Sequence, residues 1–368
     1  LANTTGNYNT AVGHASLAAN TTGSYNTATG YLALDANTTG SENAAFGTFS
    51  LTANTTAVGN SAFGNESLEA NTTGTLNTAL GWSSLNTNTT GNNNTAVGSS
   101  AAYATTTGSN NVAVGMNAFR LNTTGQSNAV LGQAALGSNT TGSDNTAVGR
   151  LSLHNSTTSS NNTAVGSYSL VANTTGTSNV AMGKSALGVN TTGDNNTAIG
   201  FEALRDNTTG SRNTGIGINA LYTTTTGVGL IALGREAIAS SATASNQCTL
   251  GDTNISNLRC NDTSISSLSD SRDKTDVIDS PFGLDFINTV RPVQFLWDTR
   301  DGNIKDGATR IGFLAQELLA ACEGNNATLD LVMDDNPDKL EAKYGNLLPM
   351  MVKAIQELSA RIEVLEGE

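Results

Sequence analysis

Residues 266–274 read Ser-Ser-Leu-Ser-Asp-Ser-Arg-Asp-Lys, and they bring a hydroxyl, two carboxylates, a guanidinium and an amine together. Four charged residues, Asp270, Arg272, Asp273 and Lys274, fall within five positions. A serine hydroxyl becomes a nucleophile when a base takes its proton, and a lysine amine can be that base once burial or nearby cations lower its pKa. Ser269 stands five residues before Lys274, and Ser271 offers a second hydroxyl. A solvated turn uses the same residue types, since Ser and Asp are ordinary there. Ser-x4-Lys spacing by itself does not separate the two readings.

The rest of the chain narrows the chemistry. His14 and His154 are the only histidines, and they stand 140 residues apart, which argues against a histidine-based metal or nucleophile site. Cys248, Cys260 and Cys322 have neither zinc-ligand nor disulfide-framework spacing. No cofactor and no metal is expected. A net charge of −13 argues against binding nucleic acid or an anionic membrane surface. No run approaches the roughly 18 apolar residues of a membrane span, and no signal peptide is visible.

Composition divides the 368 residues into two polymers. Up to Gln247 there are six Lys or Arg and nine Asp or Glu; the remaining 11 and 21 of the chain's 17 and 30 lie beyond it. Pro281, Pro292, Pro337 and Pro349, all the prolines there are, lie in the last third. The seam falls near residues 256–268, which gives a repeat region over 1–256, a linker over 257–268 and a distinct domain over 269–368.

The first region is one repeat, Asn-Thr-Thr-Gly-x-x-Asn-Thr-Ala-Val-Gly-x-x-Ala-Leu-x-Ala, recurring every 17 residues. A glycine column runs from Gly13 and Gly30 to Gly251. An apolar column precedes it by one residue (Val12, Phe46, Phe63, Leu80), with Thr29 as its polar intruder, and a second follows by four (Leu17, Leu34, Leu51, Leu68). Helices explain this poorly, because each window holds several Gly, Thr or Asn breakers. Short strands with Gly and Asn corners fit, stacking at roughly 4.8 Å per coil, so that fifteen coils span about 70 Å. A single stack of this kind has a thin core and open edges, and association of several chains is the remedy. The expected fold is mainly β: an oligomeric solenoid followed by a small α+β domain.

Asn-Thr-Thr triplets also match the glycosylation acceptor pattern, but corner asparagines and a threonine hydrogen-bond ladder account for them. Gly-rich stretches such as residues 91–98 are not phosphate loops, because no Gly-Lys-Ser/Thr follows. Glu66 with Glu69, and Glu202 with Asp206, have the residue types of a glycosidase pair. They occur singly in a neutral array and read as surface charge.

These Asn-Thr-Ala-Val-Gly coils resemble the head repeats of trimeric autotransporter adhesins and the repeats of phage tail fibres. The resemblance implies a trimer of β-rolls, or three intertwined chains. The 17-residue period is longer than the usual adhesin repeat and one short of a three-sided hexapeptide coil. The chain carries no adhesin-type C-terminal membrane anchor, which favours the phage-fibre comparison, and it opens in mid-repeat, which points to sequence upstream of Leu1.

In the last hundred residues, Phe282, Phe286, Ile287 and Val290 have helical spacing, and a β-like run follows Pro292. Arg310–Cys322 reads as an amphipathic helix and Val332–Gly345 as an acidic loop. Met351, Ile355, Leu358, Ile362 and Leu365 recur at four and three, a heptad seam of barely three heptads. Five blocks (Ser269–Lys274, Leu284–Trp297, Arg310–Leu318, Tyr344–Pro349 and Ala354–Glu366) resemble, in order, the peptidase S74 intramolecular chaperone of phage tailspikes and fibres.

That resemblance implies a domain that trimerises, templates folding of the preceding fibre and then cuts itself off with a Ser-Lys dyad. The matching positions are Ser269 as nucleophile and Lys274 as base, with Asp270 and Arg272 in support of the bend. Ser271 matches no catalytic position. An N-to-O acyl shift reaches the preceding carbonyl most easily, so the expected cut is Leu268–Ser269, with Ser269–Asp270 as the alternative. Gln316 and Glu317 read as packing residues. The expected protein is a homotrimeric virion fibre or extracellular surface protein, made in a host cytoplasm, without nucleic-acid or membrane partners, whose repeats are suited to a host glycan or receptor. A polysaccharide depolymerase would need clustered carboxylates in a groove. A membrane-tethered transcription factor using the same domain would need a basic region and a membrane span, and these residues contain neither.

Overall fold

The computed structural model describes residues 2–255, 269–296 and 307–367. It forms two units, Leu1–Asp252 and Thr253–Glu368. The linker reading over 257–268, with Cys260 and Leu268, lies outside the described residues.

The first unit is a parallel β-solenoid. Fifteen three-residue strands, from β1 (Thr10–Val12) and β2 (Thr27–Thr29) to β15 (Cys248–Leu250), pair in sequence order in one sheet. Each strand pairs in parallel with the next at an offset of 17, as in Ala28↔Ala45 and Val148↔Val165. The chain therefore winds on itself. From β2 to β14 the middle residue of each strand is buried, and Ala28, Ala45, Ala62 and Ala79 have no exposure at all.

Of the two apolar columns, only the one after the glycine is core. Leu34, Leu51, Leu68 and Leu85 are fully buried, whereas Val12, Leu80 and Leu131, just before the glycine, are about half exposed. The core leucines sit in left-handed backbone, with φ of 53° at Leu34 and 51° at Leu68. That conformation costs about 1–2 kcal/mol for an L-residue, and burying a leucine returns about 1.5–3 kcal/mol. The glycine is required by contact as well as by angle. At Gly47, φ is +140° and an added Cβ would meet the Gly64 carbonyl oxygen at 2.4 Å.

The Asn-Thr-Thr corners now have a structural account. Asn37 donates its side-chain amide to Asn20 Oδ1 and to the Gly40 carbonyl, both at 2.9 Å. Thr38 Oγ1 donates to the Thr55 carbonyl at 3.1 Å. A second column does the same one corner along: Asn43 N donates to Asn26 Oδ1 at 3.0 Å and Asn43 Nδ2 to the Ala57 carbonyl at 2.8 Å. Asn20, Asn37 and Asn54, which match the glycosylation pattern, are completely buried and engaged in the ladder.

The ladder also has three faults. Where Thr105, Ser156 and Thr224 replace asparagine, the preceding Asn88, Asn139 and Asn207 keep a buried Oδ1 with no donor. Threonine and serine carry no amide that could reach back across a coil.

The second unit packs around Leu318, Cys322, Leu329, Leu331, Val332, Leu347 and Met350. Helix α1 covers only Leu284–Ile287, shorter than the Phe282–Val290 spacing suggests. Its first turn is held from elsewhere, since Leu284 N donates to Glu357 Oε2 at 2.8 Å. Strand β16 (Val293–Leu296) pairs antiparallel with β17 (Thr309–Gly312). The helix expected over Arg310–Cys322 therefore begins late: Arg310 and Ile311 belong to β17, and helix α2 runs Ala315–Ala321.

A short helix α3 (Asn326–Leu329) follows, then a hairpin of β18 (Val332–Met333) and β19 (Glu341–Ala342) where the sequence suggested an acidic loop. Helix α4 spans Leu348–Glu366. It buries Met350 and Ala354 against its own unit and leaves Met351, Ile355, Leu358, Ile362 and Leu365 exposed.

Candidate functional site

The reactive stretch folds as a single tight turn. Asp270 caps a 3-10 turn over Ser271–Asp273, its carboxylate accepting from Arg272 N at 2.9 Å. The same carboxylate holds the Arg272 side chain, with Nε at 3.0 Å from Oδ1 and Nη2 at 2.5 Å from Oδ2. Cap and ion pair lock two residues of the bend from one side chain. Lys274 then leaves the turn in extended backbone, and its Nζ reaches back to donate to Ser269 Oγ at 2.5 Å. Five residues of separation are what one 3-10 turn with its cap needs to bring the ends together.

The structure thus places Ser269 and Lys274 in direct contact, with Asp270 and Arg272 forming the brace beneath them. The amine contacts Ser269 and not the competing hydroxyl of Ser271. Arg272, through its guanidinium first and its backbone N–H second, holds the Asp270 carboxyl below the usual range. All residues from Ser269 to Ser280 are exposed in the single chain. A contact between amine and hydroxyl is the geometry of a proton transfer that makes an alkoxide nucleophile. Of the expected scissile bond, Leu268 lies outside the described residues. The alternative bond, Ser269–Asp270, lies within the turn.

The other residues singled out from the sequence are engaged elsewhere. Glu66 accepts from Ser83 Oγ at 2.7 Å and Glu69 from Asn86 Nδ2 at 3.0 Å. Arg205 bridges Glu202 and Asp206 at 2.8 and 2.7 Å. All four of these carboxylates are thus engaged with side chains of the solenoid. Glu317 receives the Arg291 guanidinium, Nε at 3.0 Å from Oε2. His154 Nδ1 lies 2.8 Å from the Ala134 carbonyl, and His14 stacks on Tyr31. Cys322 is buried, and burial pushes its thiol pKa up. Among the described residues, no group of three or more His, Cys, Asp or Glu is arranged to hold a metal, and no helix is long and apolar enough to cross a membrane.

Sequence reasoning missed three residues that hold the second unit together. Glu357 anchors the start of α1, Tyr344 Oη donates to the Phe313 carbonyl at 3.2 Å, and Lys343 Nζ donates to Asp330 Oδ1 at 2.6 Å. Each is a contact between positions 13 to 73 residues apart. No local spacing announces them.

Residues 269–326 match the family model described as the chaperone of endosialidase, Peptidase S74. The match opens on Ser269 and covers the turn, α1, the β16–β17 pair and α2. The family's designation implies an autoproteolytic chaperone domain at this position. No curated protein and no solved structure matches the chain.

Proposed function

We propose that this chain is a homotrimeric fibre of the virion tail-fibre type, whose C-terminal unit guides assembly and then releases itself by Ser269–Lys274 chemistry. The observation that carries the reading is the 2.5 Å contact between Lys274 Nζ and Ser269 Oγ, in a braced turn at the opening of the chaperone match. Lys274 takes the Ser269 hydroxyl proton, and Oγ attacks the Leu268 carbonyl carbon. The Ser269 amide nitrogen leaves with a proton returned by the lysine, so the peptide becomes an ester. Water then hydrolyses the ester, leaving a Leu268 carboxylate, the free Ser269 hydroxyl and a new amino terminus. Cutting at Ser269–Asp270 is the alternative.

A lysine base needs a site drier than the exposed turn of one chain. Assembly is the event that supplies it, which ties the cut to completed folding. The exposed seam of α4, from Met351 to Leu365, is suited to a short coiled coil between copies. Release afterwards removes the route back and leaves a fibre whose stability is kinetic.

A host-glycan attachment role for the repeats is compatible. Exposed Tyr8 and Tyr25 stack at 4.9 Å between centroids on a loop edge of successive coils, a ring pair suited to sugar faces. A depolymerase is disfavoured, because its candidate carboxylates are tied to Ser83, Asn86 and Arg205.

The test is the denatured intact mass of wild type beside Ser269→Ala and Lys274→Gln. The expected result is two fragments in the wild type, split after residue 268 or 269, and one 37.6 kDa chain in both variants. A single uncut chain in the wild type would remove the protease reading and leave the C-terminal unit as an inert cap.

A further inference from the structure

The fifteen strands of the solenoid present an outward face that one chain leaves bare. The third residue of each strand forms an unbroken file, including Leu80, Leu131 and Leu233, and these three are between 41% and 50% exposed. The first residue of each strand lies beside it, and it too is Thr, Ser, Ala, Val, Ile or Cys throughout. No outward position of any strand carries a charge. Just beyond the glycine the next column is mixed: Arg150 and Lys184 lean along the fibre over Tyr168 and Phe201, among exposed Trp82, Met116 and Ile218. An uncharged, largely apolar strip of this kind is the anatomy of the centre of a protein interface, which is depleted in charge.

Its size fits the same reading. A file of fifteen coils at ~4.8 Å is about 70 Å long, and a strip about 10 Å wide covers roughly 700 Å². Single soluble chains rarely leave a contiguous apolar patch beyond a few hundred Å², and a stable interface takes about 800 Å² from each partner. The second unit shows the same deficit, since the α4 seam is also apolar and exposed. Two unsatisfied stripes on one chain are both answered by further copies of that chain lying parallel to it.

We infer that the outward face of the fifteen-stranded sheet, centred on the Leu80–Leu131–Leu233 file, is the surface along which copies of this chain pack. The inference rests on the trimeric reading above and adds which of the solenoid's faces is turned inward. The Asn-Thr-Thr corners and the Tyr8–Tyr25 edge stay outside.

The test uses the full chain carrying Ser269→Ala, with Leu131→Cys or Leu80→Cys in the file, and Thr141→Cys at an exposed corner as reference. Light scattering gives the mass of each assembly, and peptide-resolved iodoacetamide labelling gives the rate at each new thiol. The expected result is a multiple of the chain mass, with thiols 80 and 131 labelled at least about tenfold more slowly than thiol 141. Equal rates in an assembly of several chains would overturn the packing face while leaving the trimer standing. A single-chain mass with equal rates would overturn both.

Discussion

The solenoid and the C-terminal unit are held together in opposite ways. In the solenoid each kind of contact recurs in most coils: the buried alanine, the left-handed leucine, the two asparagine corners. In the C-terminal unit the decisive contacts are made once each, Glu357 on Leu284, Tyr344 on Phe313, Lys343 on Asp330. Repetition gives strength without address. If copies pack along the strand file, a slip of one coil still aligns fourteen of the fifteen rungs and costs little. Only an aperiodic part of the chain can tell the correct register from its neighbours, and the α4 seam is aperiodic on that scale. The fold thus gives a physical reason for a fibre of identical coils to end in a unit of a different kind.

The comparison predicts different responses to the same truncation. Leu136→Ala in the solenoid and Leu318→Ala in the C-terminal unit should each cost about 2–5 kcal/mol, because both side chains are essentially fully buried. Hydrogen exchange read peptide by peptide should separate them. In a stack where each coil touches only its neighbours, Leu136→Ala should lower protection over the adjacent coils and leave the distant ones unchanged. Leu318→Ala should lower protection throughout the C-terminal unit together. Loss of protection along the whole solenoid in the first variant would mean that the coils fold as one cooperative block.

How much of this was legible in the sequence follows the same division. Gly13, Gly30 and Gly47 at a constant interval dictate stacked coils, because one contact geometry must serve every turn. Which apolar column faces inward was not legible. Val12 and Leu17 look alike as residue types, and only the paired strands show that the buried partner in each strand is the small Ala between two outward residues. In the C-terminal unit, local pattern misplaced the start of α2, since Ile311 sits in a helical periodicity but pairs across to Gln294 in β16. The turn at Ser269–Lys274 is local, and five residues of sequence suffice to bring its ends within reach. The Glu357 anchor depends on a contact across 73 residues, and no window of sequence contains it.

The ladder faults sharpen the comparison at smaller scale. Thr224→Asn should give Asn207 Oδ1 its missing donor, but Ser241 in the next coil carries no amide for the new Oδ1 at position 224, so the gain should stay below about 1 kcal/mol. Thr105→Asn should gain most, about 1 kcal/mol, because the new amide serves Asn88 Oδ1 and Asn122 Nδ2 can donate to the new Oδ1. Ser156→Asn should gain less, because it gives up the Ser156–Ser159 hydroxyl contact at 2.5 Å. Denaturant midpoints of the three variants, taken in the Ser269→Ala background, would rank them. A lowered midpoint for Thr224→Asn would mean that the corner has no room for the amide.

The smallest expected effect lies in the turn itself. Asp270 is exposed, so its bond to Arg272 adds little to global stability, but it fixes the bend that brings Lys274 to Ser269. The folded carboxyl lies below its ordinary value of about 3.9, chiefly through the Arg272 side chain. A depressed acid makes its contribution above the unfolded pKa and loses it as pH falls through the folded one. The turn should therefore hold unchanged from neutral pH down to about 4 and loosen only below that. Arg272→Gln should move the loosening upward, because the neutral side chain no longer favours the carboxylate. Carboxyl carbon shifts of Asp270, followed by NMR in the Ser269→Ala chain, would read both titrations. Coincident curves for the two chains would mean that the brace is absent in solution, and the bend would then have to be set by the copies packed around it.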